Sequence, residues 1–294
     1  MADWERIAEK LENLLDRAER MLPQAPEPPD WSKSTAYRWR RRGNSGFLQA
    51  VKHPHKIRLS DLQGVSEQKK LVDLNTQQFV EGFTANNVLL TGAKGTGKSS
   101  LVKAVLNKFS RKGLRLIEVE KHDLHDLPDI VDLVAPAPFR FIIFCDDLSF
   151  DAEEPGYKAL KVVLDGSISA TSENVLIYAT SNRRHLMPEY MQENLETKYL
   201  GEEIHPGESV EEKISLSERF GLWISFYPFD QDEYLAIAAY WFEKLGGTGE
   251  FDEDVRQEAL QWALLRGSRS GRIAWQFARD WVGRQEIQAG RKRK

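Results

Sequence analysis

Between Gly92 and Ser99 the chain reads Gly-Ala-Lys-Gly-Thr-Gly-Lys-Ser. This fits the template G-x-x-x-x-G-K-[ST] at every fixed position. Glycines let the backbone curl until successive N–H groups face one point, which suits a phosphate group. The helix that starts at Lys98 adds the positive end of its dipole. Lys98 is then the residue that reaches the outer phosphates, and the Ser99 hydroxyl is a ligand for Mg²⁺. The context is the required one. An apolar strand, Val88 to Thr91, comes before the loop, and a helical segment, Lys98 to Phe109, comes after it.

The rest of the chain repeats this alternation. Helical periodicity is read over Leu71 to Phe83, and short apolar strands at Leu116 to Val119, Phe141 to Cys145, Val175 to Ala179 and Ile224 to Tyr227. Short apolar strands separated by helices predict a five-stranded parallel sheet covered on both faces. After Pro228 the pattern is helical throughout: Gln231 to Leu245, Asp252 to Arg266 and Gly271 to Gln288. At the other end, Trp4, Ile7, Leu11, Leu14, Leu15 and Leu22 recur at helical spacing, and four prolines follow between Pro23 and Pro29. The organisation read from this is an amphipathic helix (1–22), a proline-rich linker with a basic arm (23–56), an α/β core (57–229), a helical unit (230–288) and a basic tail (289–294).

Charge is segregated. The net value of −4 conceals a stretch from Trp31 to Ser60 with eight Lys or Arg and no acid. From Glu189 to Glu212 there are eight acids against Lys198, and from Arg266 to the end nine basic residues against Asp280 and Glu286. Trp31, Tyr37, Trp39 and Phe47 interleave the first basic stretch, a composition that serves phosphate contact with base stacking, docking on an acidic region of a neighbouring subunit, or a solvated arm. A single cysteine, Cys145, excludes an internal disulfide and suits a reducing cytoplasm. No apolar run approaches a bilayer span, and the charged start does not resemble a secretory signal. The expectation is a cytoplasmic protein with no membrane partner.

The strand Phe141 to Cys145 ends in Asp146-Asp147. A buried parallel strand presents its C-terminal end to the ligand crevice. Asp146 is placed to hold Mg²⁺, and Asp147 to orient or deprotonate an attacking water. Cys145 reads as a small core residue beneath them. The histidines show no metal-ligand spacing.

With these motifs in order, the chain resembles the AAA+ ATPases. Gly92 to Ser99 resembles Walker A and Phe141 to Asp147 resembles Walker B. Ile57 to Val65 resembles the segment that touches the nucleotide base, through Gly64 and Val65. Tyr178-Ala179-Thr180-Ser181-Asn182 resembles the sensor-1 strand end, with Asn182 near the γ-phosphate. Ser217-Glu218-Arg219-Phe220 resembles an arginine-finger segment of the bacterial initiator type. Gly271-Arg272-Ile273-Ala274 resembles the sensor-2 helix start, with Arg272 preferred over Arg266 and Arg269. The stretches 88–186 and 204–280 look most like a bacterial AAA+ family catalogued as a domain of unknown function.

The resemblance implies a P-loop core with a C-terminal helical lid, with ATP and Mg²⁺ as ligands. Lys98, Asp147, Asn182 and Arg219 are the implied catalytic residues, and Ser99 and Asp146 the implied metal ligands. Gly64, Val65, Gly92, Ala93, Lys94, Gly95, Thr96, Gly97, Lys98, Ser99, Ser100 and Arg272 are the implied nucleotide contacts. A homo-oligomer, ring or open helix, would supply Arg219 from a neighbour, and the client is a protein or a nucleic acid docking through segment 31–60. Asp147 departs from the glutamate usual in the family, which suits slow hydrolysis or a switch. Alternatives are a nucleotide-gated binding module and an ATP-dependent nucleic-acid loader. No base-specific motif separates ATP from GTP. A threading unfoldase is disfavoured, because 120–139 lacks glycine and has no aromatic before Phe139.

Overall fold

The computed structural model describes residues 4, 7–8, 10–12, 29–43, 45–150, 155–165, 173–183, 198–200, 203–205 and 216–292. Most of the amphipathic helix, the prolines before Pro29, most of the acidic stretch 189–212 and the last two residues of the basic tail lie outside these. The chain divides into two units, Met1–Asp30 and Trp31–Lys294. In the first, the described residues are helical at 4, 7–8 and 10–12.

The second unit is built on a seven-stranded sheet. Its strands are β1 (Ala36–Arg42), β2 (Ser45–Ala50), β3 (Val88–Gly92), β4 (Leu114–Glu118), β5 (Arg140–Cys145), β6 (Val175–Ser181) and, beyond a small antiparallel ribbon of β7 (Lys198–Leu200) and β8 (Glu203–His205), β9 (Leu222–Phe226). The spatial order is β2-β1-β4-β5-β6-β3-β9. Every neighbouring pair is parallel except β1 and β2, which form an antiparallel hairpin.

The sheet therefore corrects the expected five strands to seven. The five expected strands are present, and the two additions come from the basic segment. There Tyr37 and Trp39 alternate with Arg38 and Arg40, a period of two that sets one face inward and one outward. Tyr37 and Trp39 are buried, and Trp39 Nε1 donates to Asp126 Oδ2 at 2.8 Å. Trp31 packs edge-on to Tyr37 and to Phe141, with ring centroids 4.8 Å apart in both cases. Outside, Arg38 Nε donates to Glu118 at 2.6 Å and Arg40 to Glu120 at 2.5 Å. The base-stacking reading of this segment is thereby corrected. Its central aromatics belong to the core, and these arginines are paired within the chain.

The central strands are buried on both sides. Val88 and Leu90 of β3, with Ile142 and Phe144 of β5, face one core layer, whereas Leu89, Phe141, Ile143 and Cys145 face the other. The first layer is closed by α1 (Ser66–Val80), α2 (Lys98–Phe109) and the C-terminal helices, the second by α3 (Leu127–Val134) and α4 (Pro155–Asp165). The C-terminal unit comprises α5 (Gln231–Lys244), α6 (Glu253–Leu265) and α7 (Gly271–Lys292). Helix α5 begins in a capping box. Asp230 Oδ1 accepts from Glu233 N–H at 2.8 Å, and Asp230 N–H donates to Glu233 at 3.0 Å. Among the described residues, no helix is long and apolar enough to cross a membrane.

Candidate functional site at the core–helix junction

The C-terminal ends of β3, β5 and β6 converge on a cavity of about 690 Å³. It is walled on one side by the phosphate-binding loop, on another by α5 and the start of α7, and on a third by the segment around Asp61. Ligands in open α/β sheets gather at this edge.

The loop's geometry depends on its glycines. Gly92 has φ 121°, and a Cβ there would lie 1.9 Å from the Phe226 carbonyl oxygen of β9. Ala93 N–H donates to that same oxygen at 3.1 Å. Gly95 has φ 80°, and a Cβ there would meet Ser270 Oγ at 2.8 Å and Arg272 Cβ at 3.7 Å. The loop thus lies directly against the turn that opens α7. Gly97, at φ 104°, is the left-handed cap of α2.

The reactive side chains meet in three contacts. Ser99 Oγ donates to Asp146 Oδ1 at 2.6 Å. Asn182 sits between Lys98 and Asp147. Its Oδ1 accepts from Lys98 Nζ at 3.0 Å, and its Nδ2 donates to Asp147 Oδ1 at 2.5 Å. Lys98 Nζ also donates to the carbonyls of Gly92 and Ala93, both at 2.8 Å. Burial pulls the Lys98 ammonium below the ordinary lysine range. Asp147 and Asp146 oppose that, and Arg272 adds to it. Asp147 has φ 54°, a left-handed conformation uncommon outside glycine, Asn and Asp.

A profile of one protein family, described as "Protein of unknown function (DUF815)", matches residues 32–285. The chain belongs to this family. No curated protein matches it. Among solved structures, the Orc1 protein of Aeropyrum pernix in complex with DNA is similar at 15% identity, over 73% of this chain and 58% of that one, with a TM-score of 0.51. A point mutant of RuvB from Thermotoga maritima is similar at 14% identity, over 76% and 64%, with a TM-score of 0.50. The chain spans less than two thirds of the length of either. This DUF815 chain has an α/β fold of the AAA+ P-loop type.

The cavity brings together Lys94, Gly95, Thr96, Gly97, Lys98, Ser99 and Ser100 with Asp146, Asp147, Asn182 and Arg272. Gly92 stands behind, offering its carbonyl to Lys98, and Ala93 faces an adjoining groove with Lys94 and Thr96. Of the three candidate arginines, Arg272 lines the cavity. Arg266 stacks on Trp262, 3.5 Å from the ring centroid, and Arg269 lines the adjoining groove. Gly64 and Val65 do not line the cavity. Gly64, at φ 74°, packs on Phe229, and Val65 is buried beneath the start of α1. Their place in the wall is taken by Ile57, Asp61, Leu62 and Gln63. Arg219 lies outside the cavity, with its Nε donating to Asp165 Oδ1 at 2.5 Å.

Sequence reasoning missed the far wall. Asp61 is buried and accepts from Arg58 N–H at 2.8 Å, from Tyr240 OH at 2.9 Å and from Lys244 Nζ. Burial alone would raise the Asp61 carboxyl, but Lys244, Arg58 N–H and Tyr240 together hold it below its ordinary value. Trp241 and Trp275 complete the wall. Trp275 had a local signal, since it lies three residues after Arg272 on one helix face.

Proposed function

We propose that this protein binds and hydrolyses ATP with Mg²⁺, and that turnover drives conformational change in an oligomer acting on a protein or nucleic-acid client. The observation that carries this is Asn182 bridging Lys98 and Asp147 beside the Ser99–Asp146 contact, all inside one cavity at the core–helix junction.

Ser99 Oγ and Asp146 Oδ1 are two hard oxygen donors within 2.6 Å. That set suits Mg²⁺, which keeps several waters and takes few protein ligands alongside phosphate oxygens. Bound there, the ion would neutralise phosphate charge and fix its orientation.

The chain's own groups do the rest. Backbone N–H groups of Gly95 to Ser99 and the first turn of α2 hold the phosphates. Lys98 and Arg272, both lining the cavity, add positive charge. Asp147 accepts a proton from water as the water oxygen bonds to the γ-phosphorus. The bond from that phosphorus to the bridging oxygen breaks, and ADP carries the electron pair away. Asn182 keeps Asp147 aimed and marks the γ-phosphate end of Lys98. Arg219 of a neighbouring copy supplies further charge, an effect worth about 10³ to 10⁵ in rate where such fingers act.

A second reading is a nucleotide-gated module with little turnover. It is favoured by Asp147, whose carboxylate is already engaged by Asn182 and whose side chain is short.

The test is labelled-ATP binding together with hydrolysis per subunit across a wide protein concentration range. Mg²⁺-dependent binding and a specific rate that climbs with concentration are expected. Binding without turnover at any concentration would favour the gated module. No binding, or an undiminished rate in Lys98→Ala, would overturn both.

A further inference from the structure

Thr180 lies at the C-terminal end of β6 and is fully buried. Its hydroxyl proton is committed to Asp146 Oδ1 at 2.6 Å, the same oxygen that accepts from Ser99. A lone pair of the same hydroxyl accepts from Asp147 N–H at 2.9 Å. Its carbonyl accepts from Leu148 N–H at 2.7 Å. Thr180 therefore grips three consecutive residues, and the middle one is the left-handed Asp147. A non-glycine residue persists in that region only where its surroundings over-determine it.

We propose that Thr180 is a positioning residue for the proposed reaction. One hydroxyl fixes the oxygen of Asp146 that faces Ser99 and pins the strained peptide from which Asp147 projects, so the two carboxylates keep a single mutual arrangement. The inference rests on the nucleotide reading of this site. Serine carries the same hydroxyl. Valine keeps the shape of threonine but has no hydroxyl, so Asp147 N–H loses its acceptor and Asp146 loses a donor.

The experiment compares Thr180→Val and Thr180→Ser with the wild-type full chain. Without nucleotide, exchange of the Asp147 amide hydrogen should speed up about tenfold in the valine variant, the scale of one lost hydrogen bond. In the serine variant it should match wild type. With ATP, the valine variant should lose about 10- to 100-fold in kcat, or need that much more Mg²⁺ for half-maximal rate, as outer-shell partners of metal sites do. Its KM for ATP should change little, and serine should restore the rate. A valine variant with wild-type kcat and Mg²⁺ requirement would overturn the role, and so would a serine variant as impaired as valine. A wild-type chain that neither binds nor hydrolyses ATP would instead overturn the underlying reading, and the two failures are distinguished by whether wild type itself is active.

Discussion

Asp61 and Lys244 stand 183 residues apart in the chain and form an ion pair in the wall of the cavity. The pair ties the segment before α1 to the end of α5. Asp61 is held below the ordinary aspartate range although burial works to raise it, because Lys244, Arg58 N–H and Tyr240 favour the charged form. A depressed folded-state value contributes stability that is present above the unfolded value and is lost as pH falls through the folded one.

Asp61→Asn should therefore cost about 1.5–3 kcal/mol at neutral pH, the range for a hydrogen bond to a charged group. Urea unfolding followed between pH 7 and acid checks it. The gap between wild type and variant should narrow as the medium becomes acidic.

Gly95 and Gly246 share a left-handed backbone, at φ 80° and 85°, but differ in surroundings. A Cβ on Gly95 would press on Ser270, whereas one on Gly246 would meet nothing within 4 Å. Gly246→Ala should cost about 1 kcal/mol of backbone strain and leave nucleotide affinity unchanged. Gly95→Ala should displace the loop from α7 and weaken labelled-ATP binding at least tenfold, about 1.4 kcal/mol. Paired titrations of the two variants check the contrast.

Arg219 is outside the cavity of its own chain, so its contribution should come from a neighbour. Arg219→Ala alone and Lys98→Ala alone should each be nearly inactive. Mixed, they should regain hydrolysis, because an Arg219→Ala subunit has an intact loop that a Lys98→Ala neighbour can complete. A mixture no more active than its components would sink the assignment.

Burial pushes the Cys145 thiol and the Tyr178 hydroxyl up to about 12, against Thr76 and Asn75 in the case of the tyrosine. Raised folded-state values leave stability intact below the unfolded values, near 9 and 10. It is then lost as pH rises toward 12, by up to about 1.4 kcal/mol per pH unit for each group. Thermal unfolding between pH 8 and 12 should show that decline. At pH 8 the folded protein should resist thiol alkylation, and the unfolded chain should react.

The phosphate-binding loop was legible because all its chemistry is local: glycines, a lysine and a serine at fixed spacing between a strand and a helix. The acidic end of β5 was legible because a parallel strand delivers its last residues to the crevice. The hairpin was not, because Arg38 between Tyr37 and Trp39, and Arg40 to Arg42 after them, made a strand look like a charge run. Its alternation was the available signal, and Glu118 and Glu120 are what let the outer face carry such charge. Gly64 and Val65 stand back from the cavity: Gly64 packs against Phe229 and Val65 is buried, neither of which has a local sequence signal. The Asp61–Lys244 pair had no local signature, since nothing in either segment encodes a partner so distant.

The contact of Gly95 with Ser270 makes the phosphate-binding loop and α7 two sides of one joint. Under the proposed function, a client that tilts the C-terminal helices should alter the loop's affinity for nucleotide, and nucleotide should then alter the client's affinity by the same factor. Couplings of this kind are commonly worth about 1–3 kcal/mol. Measured from either end, the exchange rate between the two ligands is a single number.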